Sequence, residues 1–143
     1  MPASGSLSES KIMPRPRADQ PTPAELEILQ VLWERGPSTV REVLDVLNAR
    51  RKRAYTSIMN LLNIMVDKGL VIREAQGRAF VYRAKKAREN TVGKIVRDVL
   101  GRVFAGSASS LVAHVLDQSR PSEQELAEIR RTIDQYIKKE KSP

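Results

Sequence analysis

The sequence predicts a mainly α-helical protein with one small β-hairpin. Three observations support this fold. Apolar residues recur at helical spacing in three segments before residue 69 and in three more after residue 90. Between these two sets, residues 70–83 change to an alternating pattern around Gly77, as in a hairpin. The spacing of a capping box, a Thr or Ser followed three residues later by Glu, is found at Thr39 and at Ser122. The chain is thus divided into an N-terminal part of helices and hairpin and a helical C-terminal part.

The first two helices are predicted by the residues that begin and end them. Thr22 is a typical N-cap, Pro23 suits the first helical position, and Gly36-Pro37 ends the segment. Thr39 and Glu42 have the spacing of a capping box, which predicts the start of a second helix. A short turn is therefore expected between the two helices.

The third helix and the hairpin complete the N-terminal pattern. The third helix is predicted over Tyr55–Lys68, with Gly69 as its end. Two strands, residues 70–74 and 79–83, are predicted on either side of a turn at Gly77. The expected buried stripe of the third helix is Ile58, Leu61, Leu62, Met65 and Val66. Three helices and then a basic hairpin are the elements of a winged helix-turn-helix, in which the hairpin is the wing.

The C-terminal helices carry apolar faces. These helices are too short and too few to form a second core that would cover those faces. We predict a flexible tail over residues 1–20, a winged helix-turn-helix domain over 21–88 and a helical dimerisation domain over 89–143. The expected architecture is therefore a winged helix followed by C-terminal dimerisation helices, in a homodimer. The residues predicted to form the dimer contact are Val92, Ile95, Val99, Phe104, Leu111, Val115, Leu126, Ile129 and Ile133.

Composition excludes several classes of protein. The chain of 143 residues has no cysteine and one histidine, which excludes disulfides, thiolate zinc sites, iron–sulfur clusters and His-rich metal sites. Neither a phosphate-cradling glycine loop nor a nucleophilic serine motif is present, so we predict no cofactor, no metal and no enzymatic activity. No apolar stretch reaches membrane-spanning length and the first 20 residues are polar, so we expect a cytoplasmic protein without membrane insertion.

The positive charge is concentrated on one segment. The net charge is +8, and residues 40–90 hold twelve Lys or Arg against five Asp or Glu, which accounts for seven of those charges. Such a concentration is typical of a surface that neutralises nucleic-acid phosphates. A basic surface that is merely solvated is the alternative, because net charge by itself does not identify a partner.

The N-terminal part of the third helix is the predicted reading surface for double-stranded DNA, because this is the part of a helix-turn-helix that meets base edges. The residues predicted to contact bases or the groove are Tyr55, Thr56, Ser57 and Asn60. Those predicted to contact phosphates are Arg50, Arg51, Lys52, Arg53, Arg73, Arg78 and Arg83. In the alternative interpretation, Thr56 and Ser57 only cap the helix.

The remaining aromatic residues and the one histidine are interpreted as packing residues. Trp33 and Phe80 fit core positions of a helix and a strand, and widely spaced surface aromatics for single-strand stacking are absent. His114 lies on a largely apolar helical segment without a partner cluster, so a packed or half-exposed side chain is favoured over a pH switch.

Seven stretches of the chain together carry a resemblance to a known family: Ala24–Leu29, Leu32-Trp33, Thr39–Val43, Ala54–Ile58, Asp67–Leu70, Gly77–Tyr82 and Gly106–Val112. They resemble the penicillinase repressors, the BlaI and MecI type of bacterial regulators. The resemblance covers about residues 21–138 and implies a homodimeric transcriptional repressor on a palindromic operator, of a β-lactamase gene or of others.

The same resemblance implies induction through a membrane-bound sensor and proteolysis of the repressor, and here the chain departs from the family. Members are cleaved at an Asn-Phe bond, where this chain has His114-Val115. Copper-responsive relatives carry C-terminal cysteines, and this chain has none. A winged-helix module that binds an acidic protein, with no specific DNA site, is the second functional hypothesis.

Overall fold

A computed structural model describes residues 20–141, which form two compact units, one ending at Ile95 and the other beginning at Val96. The predicted tail lies outside the described residues except for Gln20. The helices are α1 (Pro23–Arg35), α2 (Val40–Asn48), α3 (Tyr55–Lys68), α4 (Arg88–Arg102), α5 (Ala108–Ser119) and α6 (Glu123–Lys141). The strands are β1 (Val71–Gln76) and β2 (Ala79–Ala84). This order confirms a mainly α-helical chain with one hairpin.

Both N-terminal helices begin with a complete capping box. The Glu25 N–H donates to Thr22 Oγ1 at 3.2 Å, and the Thr22 N–H donates to Glu25 Oε1 at 2.9 Å. Thr39 and Glu42 make the same pair of hydrogen bonds at 3.2 and 2.9 Å. Each box satisfies two backbone donors that the first turn of a helix leaves unpaired, so both predicted helix starts are confirmed.

Helix α3 has the predicted bounds and ends in a left-handed residue. Gly69 adopts φ +78°, and its N–H donates to the Val66 carbonyl at 3.1 Å. A side chain is strained at that φ, which is why a glycine ends the helix here. Of the predicted stripe, Ile58, Leu62 and Met65 are buried, while the other two residues are partly buried at its edge.

The hairpin is antiparallel and is tied to the helices by a contact that the sequence pattern did not predict. Val71 pairs with Ala84 at one end and Gln76 with Ala79 at the other, so the strand ends lie within two residues of their predicted bounds. Ser38, between α1 and α2, forms a bridge to Tyr82 through two backbone hydrogen bonds of 2.8 and 2.9 Å. The bridge adds one residue of a third strand to the base of the wing.

The core of the first unit is aliphatic, with Tyr82 as its one buried aromatic side chain among the described residues. Trp33 packs against this core and donates from Nε1 to the Lys86 carbonyl at 3.0 Å. The core position predicted for Phe80 is wrong, because its ring is 47% exposed on the wing. The buried hydrophobic residues are Ile28, Leu29, Val31, Leu32, Val40, Val43, Leu44, Leu47, Ile58, Leu62, Met65, Leu70, Val71 and Tyr82.

The C-terminal helices contain no buried residue. Helix α4 ends at Arg102, so Val103 and Phe104 belong to the turn that follows it. Ser107 and Ser122 accept hydrogen bonds that cap α5 and α6. No helix among the described residues has the length and hydropathy that a membrane crossing needs.

Candidate nucleic-acid interface

Helix α3 has one face in the core and an exposed polar N-terminal part. Ile58, Leu62 and Met65 are at most 3% exposed, which fixes the rotation of the helix about its axis. The four residues predicted to contact bases are all exposed: Tyr55, Thr56, Ser57 and Asn60. The structure therefore presents one continuous polar surface at the start of α3.

Three polar side chains on this surface, those of Thr56, Ser57 and Asn60, make no internal hydrogen bond in the described part of the chain. Ala54 is the N-cap of α3 and makes no side-chain cap, so Thr56 and Ser57 lie within the first turn and do not cap the helix. Within residues 20–141, no hydrogen bond is made by the side chains of Thr56, Ser57 or Asn60. Hydroxyl and amide groups left free in this way are available to donate to or accept from base edges.

Both ends of α3 are held to α1 by ion pairs. Lys68 Nζ lies 2.7 Å from Oε1 of Glu25, a carboxylate that is 3% exposed. Arg53, just before α3, places its Nη2 3.0 Å from both oxygens of Glu27. Because an ion pair that is partly removed from water is screened little, these contacts fix the position of the reading helix on the rest of the domain.

Arg53 does not belong with the exposed cations predicted to contact phosphates. Its side chain is 10% exposed, and its backbone N–H donates to Asn48 Oδ1 at 2.8 Å. The guanidinium is occupied by Glu27 and packed inside the domain, since its Nη1 is buried. The structure thus assigns Arg53 a structural contact, which sequence reasoning missed because a run of four cations does not show which one turns inward.

The other three cations of that run are exposed. Arg50, Arg51 and Lys52 lie in the turn between α2 and α3, and none has a described partner within residues 20–141. The turn places them directly before the polar surface of α3, where phosphates of a duplex in contact with that helix would lie. These three cations and the start of α3 are brought together as predicted.

The wing cations divide into one unpaired and two paired residues. Arg78 lies at the turn, exposed and without a described partner in the part of the chain that the structure covers. Arg83 Nε lies 3.3 Å from Glu74 Oε1 in an exposed ion pair, which stabilises little and does not prevent contact with a phosphate. Arg73 lies against the Phe80 ring, with 4.5 Å between Cζ and the ring centroid.

Arg41 is a further cation at this surface that the predicted contact set omitted. Its Cζ lies 5.3 Å from the centroid of the Tyr55 ring, so α2 contributes charge beside the first residue of α3. The side chain is exposed, and the contact belongs to the cation–π type. Its position in the first turn of the helix before the reading helix is the sequence signal that would have found it.

One pKa near this surface is shifted. The Thr39 backbone N–H that donates to the Glu42 carboxylate lowers the pKa of Glu42, and the Arg35 guanidinium at 2.9 Å lowers it further. The charged form of Glu42 thus stabilises the start of α2. Among the described residues, no group of three His, Asp or Glu side chains is arranged to hold a metal ion.

Comparison with known proteins identifies the family. The sequence profile described as "Penicillinase repressor" matches residues 21–135. The chain belongs to the penicillinase repressor family. It is 32% identical over 96 residues to the transcriptional regulator BlaI of Mycobacterium tuberculosis, spanning 66% of this chain and 70% of that one. It is 24% identical over 118 residues to the penicillinase repressor of Bacillus licheniformis, spanning 82% of this chain and 92% of that one.

A solved structure is also similar. The solution structure of the monomeric form of Bacillus licheniformis BlaI, in complex with the blaP half-operator, is 27% identical, with a TM-score of 0.44. The match covers 50% of this chain and 87% of that one. Membership of the family rests on the profile match and on the relatives above. As a member of the family, the chain is a DNA-binding transcriptional repressor.

Proposed function

We propose that this repressor binds a palindromic operator as a homodimer, with α3 of each subunit in the major groove. Base edges are contacted by the exposed start of α3, namely Tyr55, Thr56, Ser57 and Asn60. Phosphates are contacted by the unpaired cations of the α2–α3 turn and of the wing tip, with Arg83 and Arg41 beside them. The complex forms in the cytoplasm, and the chain performs no catalysis.

One observation carries the proposal. The hydroxyl and amide groups at the start of α3 have no described internal hydrogen bond, and the three cations directly before them have no described internal partner. By contrast, the side chains of the two capping boxes and of the two ion pairs that hold α3 are paired within the domain. A surface with unpaired donors, acceptors and positive charge matches the chemistry of a duplex groove and its phosphates.

A gel-shift series on duplex DNA from the promoter of its own gene tests the proposal. Asn60→Ala is expected to weaken binding by about tenfold or more and to relax preference at one base pair of each half-site. Arg51→Ala is expected to weaken binding to all sequences and to reduce the slope of log Kobs against log salt by about 0.9 per half-site.

Matched controls separate these effects from a general loss of folding. Gln30→Ala removes an exposed amide on α1, and Arg131→Ala removes an exposed cation from the side of α6 away from Leu126 and Ile133, so neither is expected to change the affinity or the slope. Equal competition by random duplex DNA against the wild type would contradict a specific operator. Binding of an acidic protein by a chain that ignores promoter DNA would favour the interaction module instead.

Support for the homodimer comes from the apolar side chains of the C-terminal helices. Val115, Leu126 and Ile133 are 42–50% exposed in the single chain, and the other residues predicted for the contact are half-buried at most. Leu126, Ile129, Ile133 and Tyr136 follow a 3-4-3 spacing along α6, which is typical of a helix that packs on another helix. Truncation after Lys86 is expected to yield a monomer with much weaker operator binding, measured by sedimentation and gel shift.

Induction by proteolysis through a membrane sensor would require cleavage at the position where the family has its Asn-Phe bond. His114 and Val115 lie inside α5, where the His114 ring contacts Phe104 at 5.1 Å between centroids. Proteases act on locally unfolded chain, so we expect the folded protein to resist cleavage at this bond. Incubation with a general protease, followed by mass spectrometry of the fragments, measures how much cleavage occurs at this bond.

A further inference from the structure

The Arg73 guanidinium makes one contact within the wing and one with the reading helix. Its Cζ lies 4.5 Å from the centroid of the Phe80 ring, and its Nη1 donates to Asn63 Oδ1 at 3.2 Å. The Tyr82 hydroxyl donates to the same Asn63 oxygen over a longer distance, 3.4 Å. Asn63, on α3, thus accepts hydrogen bonds from both strands of the wing.

The strand register places these wing residues on one face. Arg73 is opposite Tyr82, and Phe80 is opposite Ala75, two residues further along β1. Tyr82 is 2% exposed, so this face packs onto the domain at its base, while the 47% exposed Phe80 ring lies nearer the tip. Arg73 extends the contact with α3 from the buried base toward the exposed part of the hairpin.

We propose that Arg73 is a positioning residue, which acts through Asn63 and Phe80 to fix the angle between the wing and the reading helix, and not one of the phosphate contacts. The proposal rests on the proposed function, because the angle matters for a duplex that touches both elements. It assigns Arg73 a role different from that of Arg78 at the tip of the same hairpin.

Geometry explains why such a contact matters. The turn lies about 13 Å from Arg73, four residues at about 3.3 Å each. A two-stranded hairpin is barely stable by itself, so its direction depends on what holds its base. A rotation of about 15° at Arg73 would move the tip by about 3 Å, enough to break a hydrogen bond from Arg78 to a phosphate.

Arg83 supplies a matched control on the same hairpin. It pairs with Ile72 across the strands, on the face opposite to Arg73, and its ion pair with Glu74 joins only the two strands. Arg83→Ala removes the same charge from the same hairpin without touching α3. Any effect that Arg73→Ala shares with Arg83→Ala therefore comes from the lost charge and not from positioning.

The DNA experiment measures affinity and salt dependence for full-length variants, on duplexes that the wild type selects from a random pool. Arg73→Ala is expected to weaken binding about fivefold, and Asn63→Ala at least as much, because it also removes the hydrogen bond from Tyr82. The double variant should bind no more weakly than Asn63→Ala, because both changes break the hydrogen bond between Arg73 and Asn63. The slope of log Kobs against log salt is expected to stay at the wild-type value for Arg73→Ala. A slope smaller by about 0.9 per half-site would overturn the proposal, since it identifies a neutralised phosphate.

A cycle with the wing tip separates positioning from mere stabilisation. In an Arg78→Ala background, Arg73→Ala is expected to weaken binding by less than about twofold, because the tip contact that it positions is already lost. An undiminished fivefold effect in that background would show that Arg73 does not act through the tip. A change of base preference in Asn63→Ala would also overturn the proposal, because it would make Asn63 a base contact.

Hydrogen exchange without DNA distinguishes failure of this inference from failure of the proposed function. Arg73→Ala and Asn63→Ala are both expected to speed backbone exchange across residues 71–84, whereas Arg83→Ala leaves that segment within about twofold of the wild type. If the wild type shows no preference for any duplex, the proposed function fails while this measurement still decides the contact. Unchanged exchange in both variants would show that the contact does not hold the wing.

Discussion

The winged-helix unit and the C-terminal helices differ in what they do with their apolar side chains. In the first unit, residues from all three helices and both strands are buried together, many of them less than 3% exposed. In α4, α5 and α6 no residue is buried, and on α6 Ile133 and Tyr136 are 50% and 64% exposed. Similar apolar periodicity in the sequence thus leads to a closed core in one region and to open faces in the other. Only the first region has, within the single chain, a buried core that can stabilise it.

The largest effect is expected from a cavity in the closed core. Leu47 is 1% exposed, and Leu47→Ala is expected to lower the free energy of unfolding by about 3 kcal/mol, through lost burial and an unfilled cavity. Urea denaturation at several protein concentrations measures it. The loss should not depend on concentration, because this core lies within one chain.

The matched variant for that experiment is Leu126→Ala on α6, where the side chain is 42% exposed in the single chain. Its effect should vary with protein concentration, because burial there requires a second subunit. If both leucine variants lost stability equally at every concentration, the contrast between the two regions would be broken.

A charge on the open face of α6 is expected to give the next largest effect. Ile133→Asp is expected to turn the dimer into a monomer at micromolar concentration and to weaken operator binding about thirtyfold, because an unpaired carboxylate cannot be buried between helices. Sedimentation and gel shift measure both results. Gln135→Asp introduces the same residue about 200° further round the helix and should leave the dimer intact.

Loss of the ion pair beneath α3 is expected to have a moderate effect. Lys68→Met leaves the Glu25 carboxylate, 3% exposed, with only the Thr22 N–H as partner, and should cost about 1–2 kcal/mol of unfolding free energy. Thermal denaturation measures the loss. The double variant Glu25→Gln and Lys68→Met, which buries no charge, should recover most of it, and a larger loss in the double variant would contradict this account.

The smallest effect concerns pH. The pKa of Glu42 is lowered from 4.5 in the folded state, so its contribution to stability is present above that value and is lost as the pH falls through the lowered pKa. Glu42→Gln should therefore melt slightly below the wild type at pH 7, and the difference should disappear in acid. Glu34→Gln, an exposed carboxylate on α1, serves as control. A difference in melting temperature between Glu42→Gln and the wild type that grew in acid would contradict this account.

Local patterns predicted most of the first unit and the exposed part of the candidate site. Capping residues, the glycine after α3 and the buried stripe depend on neighbours within one or two turns, so reading them requires no knowledge of the fold. The bridge between Ser38 and Tyr82, the exposed Phe80 and the inward Arg53 depend on residues far apart in sequence. The untested base, phosphate and dimer contacts stay predictions.

The sequence by itself determined where the first three helices begin, where α1 and α3 end, the winged-helix order and the segment that carries the charge, because these follow from spacing and residue type. Tertiary structure alone decided which cations are exposed and which side chain each of the others contacts. Arg51 remains free, Arg53 turns inward to Glu27, and Arg73 lies between Phe80 and Asn63. Three arginines of identical chemistry acquire different roles because the position of the opposing carboxylate, ring or amide is set by chain segments distant in sequence.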